Sequence, residues 1–328
     1  MTGNQTKKPF NTTITSEDGK DLKAYVAAPP SGTGPGLIMM HEVYGVTQGL
    51  TELADYMATQ GFIVACPNMY WRENPEASFM YDPPPEILAA MPEAERAALE
   101  EKLTAERVEA RNLMFNIVGN TDPAYLAAQQ DGVLDTINKV AAYLRGHDQG
   151  NGLVASSGFC FGARNTYLAM AHGADVDAGI VFYPTPKLHE VFDHSATMAI
   201  EKPMMMVVGG QDGYIGHPEG REDLDEKEHM IVGSAAMTLN LMAGRLRPVP
   251  EVNPNGNPNI LSIYCANNDH GMNRRRSKYS DLGTSEHLLK IAAEFIHAGA
   301  GLTNTMVVPA RAFSKMPVSP TYQPAYKV

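Results

Sequence analysis

The sequence predicts an α/β fold, a mostly parallel sheet with helices on both faces. Apolar runs such as Leu37-Ile38-Met39-Met40 and Met204-Met205-Met206-Val207-Val208 are continuous rather than alternating, so both faces of these strands are covered. Between such runs lie stretches with apolar residues at helical spacing. Strands and helices therefore alternate along the chain, and alternation of this kind gives parallel crossovers.

Asn11 to Ser16 and Leu22 to Ala28 read as two strands joined at Asp18-Gly19, a hairpin signal. Pro29 to Pro35 is a loop, and the Leu37 strand follows it. The next helix carries Leu50, Leu53, Ala54, Met57 and Ala58 on one face and stops at Gly61, before a strand from Phe62 to Cys66. That is one βαβ unit.

From about residue 72 to 130 the pattern loosens into an insertion. It contains Pro83-Pro84-Pro85 and an Ala/Glu/Arg-rich helical stretch from Pro92 to about Phe115. Regularity returns with a helix whose stripe is Val133, Leu134, Ile137, Val140, Ala141 and Leu144. A strand ending at Leu153-Val154-Ala155, a helix from Asn165 to Ala171, and strands at Ala178 to Tyr183 and Met204 to Val208 follow. A second insertion, about 213 to 259, is charged and then rich in Pro and Asn. Ile260 to Ala266 is the last strand, and Ser285 to Ala298 the last amphipathic helix, with Leu288, Leu289, Ala292, Phe295 and Ile296 inward. The reading is one domain over residues 1–300 and a Pro-rich C-terminal extension over 301–328, with no internal repeat.

At 328 residues the chain buries enough apolar surface to need neither disulfides nor a structural metal. Cys66, Cys160 and Cys265 are an odd set without metal-ligand spacing, and Cys66 and Cys265 sit in apolar runs as core thiols. No metal and no cofactor is expected. Reduced thiols, a polar N-terminus and the lack of an apolar run of spanning length point to a cytoplasmic protein outside membranes. A net charge of −11 argues against binding nucleic acid or an anionic membrane and favours small-molecule work. A homo-oligomer is compatible with the sequence.

Chemistry concentrates at Gly158-Phe159-Cys160-Phe161-Gly162, a Gly-x-Cys-x-Gly between strand and helix. This is the spelling of a nucleophile elbow, in which glycines flank the nucleophile because side chains there would strike the neighbouring strand and helix. A strained central residue would push its sulfur clear of the sheet, at a helix N-terminus that favours a thiolate. The bland reading of Cys160 is a small buried hydrophobe in a turn.

Sites in such folds collect beyond the carboxyl ends of the strands. Asp212 follows one strand end, in Gly209-Gly210-Gln211-Asp212-Gly213, and His270 another, in Asn267-Asn268-Asp269-His270-Gly271. Nucleophile, acid, then His is the chain order of the α/β-hydrolase fold. Each alone has a plain alternative, a turn-capping Asp and a loop His, and nine other histidines compete.

His41-Glu42-Val43-Tyr44-Gly45 follows the first parallel strand, where the second oxyanion donor belongs; the backbone N–H groups of Val43 and Phe161 are the candidate pair. Glu42 would oppose a thiolate by like charge or take the thiol proton, unless it is simply paired with a structural Arg. Arg274, in the run Arg274-Arg275-Arg276, could hold a substrate carboxylate or pair with Glu42; such runs are otherwise solvated surface.

Taken together, the Cys elbow, the His41-Glu42-Val43-Tyr44-Gly45 loop, the strand ending Cys66-Pro67-Asn68-Met69-Tyr70, and Asp212, His270 and Arg274 resemble the dienelactone hydrolase family over about Leu22 to Ala298. The resemblance implies a Cys160-Asp212-His270 triad. It also implies that Glu42 controls the thiol, either paired with Arg274 once substrate binds or as acceptor of the thiol proton. The implied substrate is the enol-lactone ring of a dienelactone, opened to maleylacetate. The family places a second substrate-binding Arg before the elbow, a role for which Arg111 or Arg107 is a candidate, and the loop's Tyr44 is a further pocket candidate. Departures from the pattern are Ala163 after the elbow and a long separation between Asp212 and His270.

The leading expectation is therefore a cofactor-free hydrolase acting on a small ester or lactone through a Cys160 acyl-enzyme. A thioesterase or thiol amidotransferase is the rival enzyme, since these also use a Cys elbow. The amidotransferase would want a His-x-Glu, and His217-Pro218-Glu219 is the spelling available. A hydrolase fold without catalysis, used as a binding module through its insertions, is the third reading.

Overall fold

The computed structural model describes residues 10–15, 21–74, 85–118, 120, 122–184, 200, 202–209, 212, 260–265, 268, 270–271 and 282–301. Eight strands form one sheet: β1 (Thr12–Thr15), β2 (Asp21–Ala27), β3 (Gly34–Met40), β4 (Ile63–Pro67), β5 (Gly150–Phe159), β6 (Ala178–Phe182), β7 (Met204–Gly209) and β8 (Ile260–Cys265). The spatial order is β1-β2-β4-β3-β5-β6-β7-β8. β1 and β2 pair antiparallel and β2 joins β4 antiparallel; from β4 to β8 every pairing is parallel.

The parallel strands are buried because helices cover them, as their continuous apolar runs require. β3, β4, β6 and β7 are buried along their whole length. α1 (Gln48–Thr59) buries the five residues of its predicted stripe, and the Thr47 hydroxyl caps it by accepting from the N–H of Leu50 at 3.3 Å. The remaining helices are α2 (Pro85–Ala90), α3 (Glu93–Val118), α4 (Pro123–Arg145), α5 (Phe161–Ala171) and α6 (Leu282–Gly301).

The first insertion is more ordered than its loose pattern suggests. α4 begins at Pro123, ten residues before its apolar stripe, capped by the Asp122 carboxylate on the N–H of Ala124 at 3.0 Å. Asp-Pro is an N-cap and N1 pair, a signal that periodicity alone passes over. The segment after β4 is bolted to α4: the Trp71 indole donates to Thr136 Oγ1 at 3.0 Å, and Arg72 reaches the Gly132 carbonyl at 2.6 Å and Asp135 at 2.6 Å.

Sheet order places the site. β3 and β5 are neighbours, but the chain leaves β3 toward β4 and leaves β5 toward β6, so the two connections diverge and open a crevice at the carboxyl ends. Register aligns those ends: Met40 lies beside Gly158, Phe159 beside Phe182, Phe182 beside Val207, and Gly209 beside Cys265. The residues that follow each strand therefore meet along one rim. Cys66 is fully buried, as expected, whereas Cys265 is partly exposed and packs at the edge of the core. The Asp18-Gly19 turn, the second insertion and the C-terminal extension beyond Gly301 lie outside the described residues.

Candidate active site

Cys160 sits where β5 gives way to α5. Its N–H still extends the sheet ladder, donating to the Phe182 carbonyl at 3.1 Å, and its carbonyl already accepts the helical bond from Arg164 N–H at 3.1 Å. Serving both elements forces φ = 54° and ψ = −111°, a conformation that costs a non-glycine residue about 1–3 kcal/mol. Close packing sustains the strain. A Cβ on Gly158 would lie 2.2 Å from the carbonyl carbon and oxygen of Gly162, and one on Gly162 would lie 2.4 Å from the Met40 carbonyl oxygen. The bare glycines let α5 press against β5 and β3, and that pressure holds the turn.

The thiol makes no cap hydrogen bond to α5, which leaves it for another partner. His270 stands close enough for the charge of an ionised Cys160 to act on its imidazole. Cys160 is only 6% exposed, so its sulfur does not stand in open solvent. Phe161 is the first helical residue, so its N–H has no acceptor within the helix.

His270 Nδ1 lies 2.9 Å from Asp212 Oδ2. An ionised carboxylate only accepts, so Nδ1–H donates and the other ring nitrogen is left to the thiol. Asp212 is fully buried, and its N–H turns back to the Gly209 carbonyl at 3.3 Å. Burial works against an imidazolium at His270. The charge of an ionised Cys160 and that of Asp212, with a hydrogen bond to each, outweigh burial and raise the pKa well above the ordinary histidine range.

Sequence reasoning missed Tyr183. It follows β6 with φ = 37°, donates its N–H to Val207 at 2.8 Å, and sets its ring edge-on to His270 at 5.1 Å. A Tyr closing an apolar strand carries no signal of this by itself. His41 was also passed over in favour of its neighbour Glu42. It is fully buried, its Nε2 accepts from Met69 N–H at 3.0 Å, and burial lowers its pKa to about 4.

Cys160, Asp212 and His270 are brought together. Glu42, Val43 and Tyr44 lie on the loop after β3, with Val43 buried and Glu42 and Tyr44 half-buried. Arg111 is exposed on α3, with its guanidinium 5.9 Å from the Phe115 ring on the same helix, and Arg107 is exposed as well. Arg274 and His217-Pro218-Glu219 lie outside the described residues. No helix among the described residues is long and apolar enough to cross a membrane.

A sheet in this order, with a sharp turn at the end of β5 carrying Cys160, is the α/β-hydrolase fold. The chain belongs to the dienelactone hydrolase family, whose sequence profile matches residues 22–231, and so to hydrolases of esters and lactones. It is 25% identical over 213 residues to carboxymethylenebutenolidase 1 of Cupriavidus pinatubonensis, covering 65% of this chain and 76% of that one. To the carboxymethylenebutenolidase of Pseudomonas putida it is 23% identical, over 62% of this chain and 72% of the other. The crystal structure of a putative dienelactone hydrolase from Klebsiella pneumoniae superposes with a TM-score of 0.53 at 16% identity, covering 87% of this chain and 96% of that one. At that identity the likeness speaks for the fold.

Proposed function

We propose that the protein opens an enol lactone or cleaves a similarly activated small ester through a Cys160 acyl-enzyme, with His270 as the proton carrier and Asp212 as its orienter. The observation that carries this is His270 Nδ1 at 2.9 Å from the buried Asp212 carboxylate, with Cys160 near enough for its charge to act on the same imidazole.

In this mechanism His270 takes the thiol proton and the sulfur attacks the acyl carbon. The resulting oxyanion accepts from the N–H groups of Val43 and Phe161. Collapse breaks the acyl C–O bond, and His270 returns its proton to the leaving oxygen. Water, deprotonated by the same imidazole, then attacks the thioester and restores the thiol. With a lactone the leaving oxygen stays attached to the product acid.

The nucleophile itself narrows the substrate. A tetrahedral intermediate expels its weaker base, and a thiolate, with a conjugate-acid pKa of about 8.5, is far weaker than an ordinary alkoxide. Attack on an alkyl ester therefore reverts. An enolate or phenolate leaving group competes with the sulfur, so an enol lactone suits Cys160 and a plain alkyl ester does not. The names of the carboxymethylenebutenolidase relatives agree with this, which supports a dienelactone as substrate. Glu42 is drawn to Arg274 when a carboxylate substrate enters, or stands in for His270 as acceptor of the thiol proton, and Tyr44 is the pocket candidate on the same loop.

The test is hydrolysis of a cis- or trans-dienelactone and p-nitrophenyl acetate beside ethyl acetate, with Cys160→Ala as control. Turnover of the first two, none of ethyl acetate, and loss of activity in Cys160→Ala are expected. Activity that survives Cys160→Ala, or ethyl acetate hydrolysed as fast as the activated esters, refutes the reading.

A further inference from the structure

We propose that His41 is a positioning residue: locked as the Nδ1–H tautomer, it turns the peptide between Glu42 and Val43 so that the Val43 N–H faces the reacting carbonyl oxygen. This rests on the oxyanion reading above and adds what aims the donor.

The Glu42 carbonyl and the Val43 N–H belong to one planar peptide unit. In a trans peptide they point in opposite directions, and the described peptide bonds are all trans. The Glu42 carbonyl is held by His41 Nδ1 at 2.6 Å and by Gly45 N–H at 3.3 Å. Fixing that oxygen fixes the N–H on the far side of the plane. The next carbonyl, of Val43, accepts from the Tyr70 hydroxyl at 2.8 Å, so the unit carrying the donor is anchored at both ends.

The tautomer follows from the partners. Nε2 accepts from Met69 N–H at 3.0 Å and so carries no proton, and Nδ1 must then be the donor to Glu42. Protonation would set two donors against each other at Nε2, in a fully buried ring. The His41 ring also lies 4.8 Å from that of Tyr70, and the Phe161 ring lies 5.3 Å from Tyr70 and 6.2 Å from His41. Phe161 supplies the other donor, so one aromatic cluster holds the two N–H groups in register with each other.

The experiment compares two reactions of the same sulfur. Acyl transfer from p-nitrophenyl acetate develops an oxyanion, whereas alkylation by iodoacetamide does not. His41→Gln can set its amide oxygen where Nε2 accepts from Met69 but has no N–H at the ring position of Nδ1, so the bond to Glu42 is lost; it is expected to lower kcat about 100-fold at nearly constant KM, with Cys160 alkylation within about twofold of wild type. Tyr70→Phe, which removes one hydroxyl, is expected to lower kcat about tenfold in the same selective way. Nitrogen NMR of the His41 ring is expected to show a protonated Nδ1 and a bare Nε2 at neutral pH. Unchanged kcat in both variants, alkylation falling in step with acyl transfer, or a protonated Nε2 each overturns the proposal. Wild-type protein inert toward every activated ester would instead remove the acyl-enzyme reading, and the NMR result would still decide whether His41 is locked.

Discussion

Adding one methyl group at Gly158 tests how the elbow is held. The new Cβ would lie 2.2 Å from the Gly162 carbonyl carbon and oxygen and 2.6 Å from Ala163 N, all backbone atoms that no rotamer change can move. Carbon contacts settle near about 3.5–4.0 Å, so α5 and β5 must separate by more than about 1 Å. Overpacking costs about 1–3 kcal/mol where side chains can yield. Here they cannot, and we expect Gly158→Ala to cost at least about 3 kcal/mol, a large part of a typical 5–15 kcal/mol stability. The control is Gly152→Ala: its φ of +86° carries the strain of a positive φ, about 1–2 kcal/mol, but nothing lies within 4 Å of its Cβ. Urea unfolding gives both stabilities, and iodoacetamide labelling of the folded fraction reports the sulfur. Slower labelling is expected in Gly158→Ala alone. If the two variants cost the same and label at the wild-type rate, close approach of α5 to β5 does not hold Cys160 in place.

Two further outcomes follow from the buried ionisable groups. His41 titrates near its unfolded value of about 6.5 when unfolded and at about 4 when folded, so between those pH values the unfolded chain binds the extra proton. Its contribution is complete above about pH 6.5 and is lost as pH falls toward 4, a loss of about 3 kcal/mol that His41→Gln lacks; parallel stability–pH curves for the two proteins would contradict it. Asp212→Asn leaves His270 without its charged partner and is expected to lower acyl transfer by about 10³–10⁴-fold with the protein still folded, whereas a loss under tenfold in steady-state assays would make Asp212 structural.

The fold was legible because its strands announce themselves: β3, β6 and β7 are uninterrupted apolar runs, and α1 and α6 bury the residues their spacing selects. The site candidates could be named because strand ends and chain order restrict where each must stand, and of them Asp212 and His270 stand 2.9 Å apart. What local pattern could not show was depth. Glu42 drew attention as a charge, while the neutral His41 beside it makes the buried bridge from β3 to the segment after β4. Tyr183 meets His270 through a positive φ that no spacing encodes. Which face of a long polar helix turns inward depends on its packing: the inward residues of α3 are Leu103, Ala110, Met114 and Ile117, and Arg111 is exposed.

The proposed acyl-enzyme requires the Cys160 sulfur to take the acyl group. Mixing the protein with p-nitrophenyl acetate, quenching in acid before turnover is complete, and mapping the modified peptide by mass spectrometry observes that bond directly. One acetyl group on the peptide containing Cys160, absent from Cys160→Ala and hydrolysed on standing at neutral pH, is the predicted result. An unlabelled Cys160 during active turnover, or an acetyl group that turns over on any other residue, contradicts it.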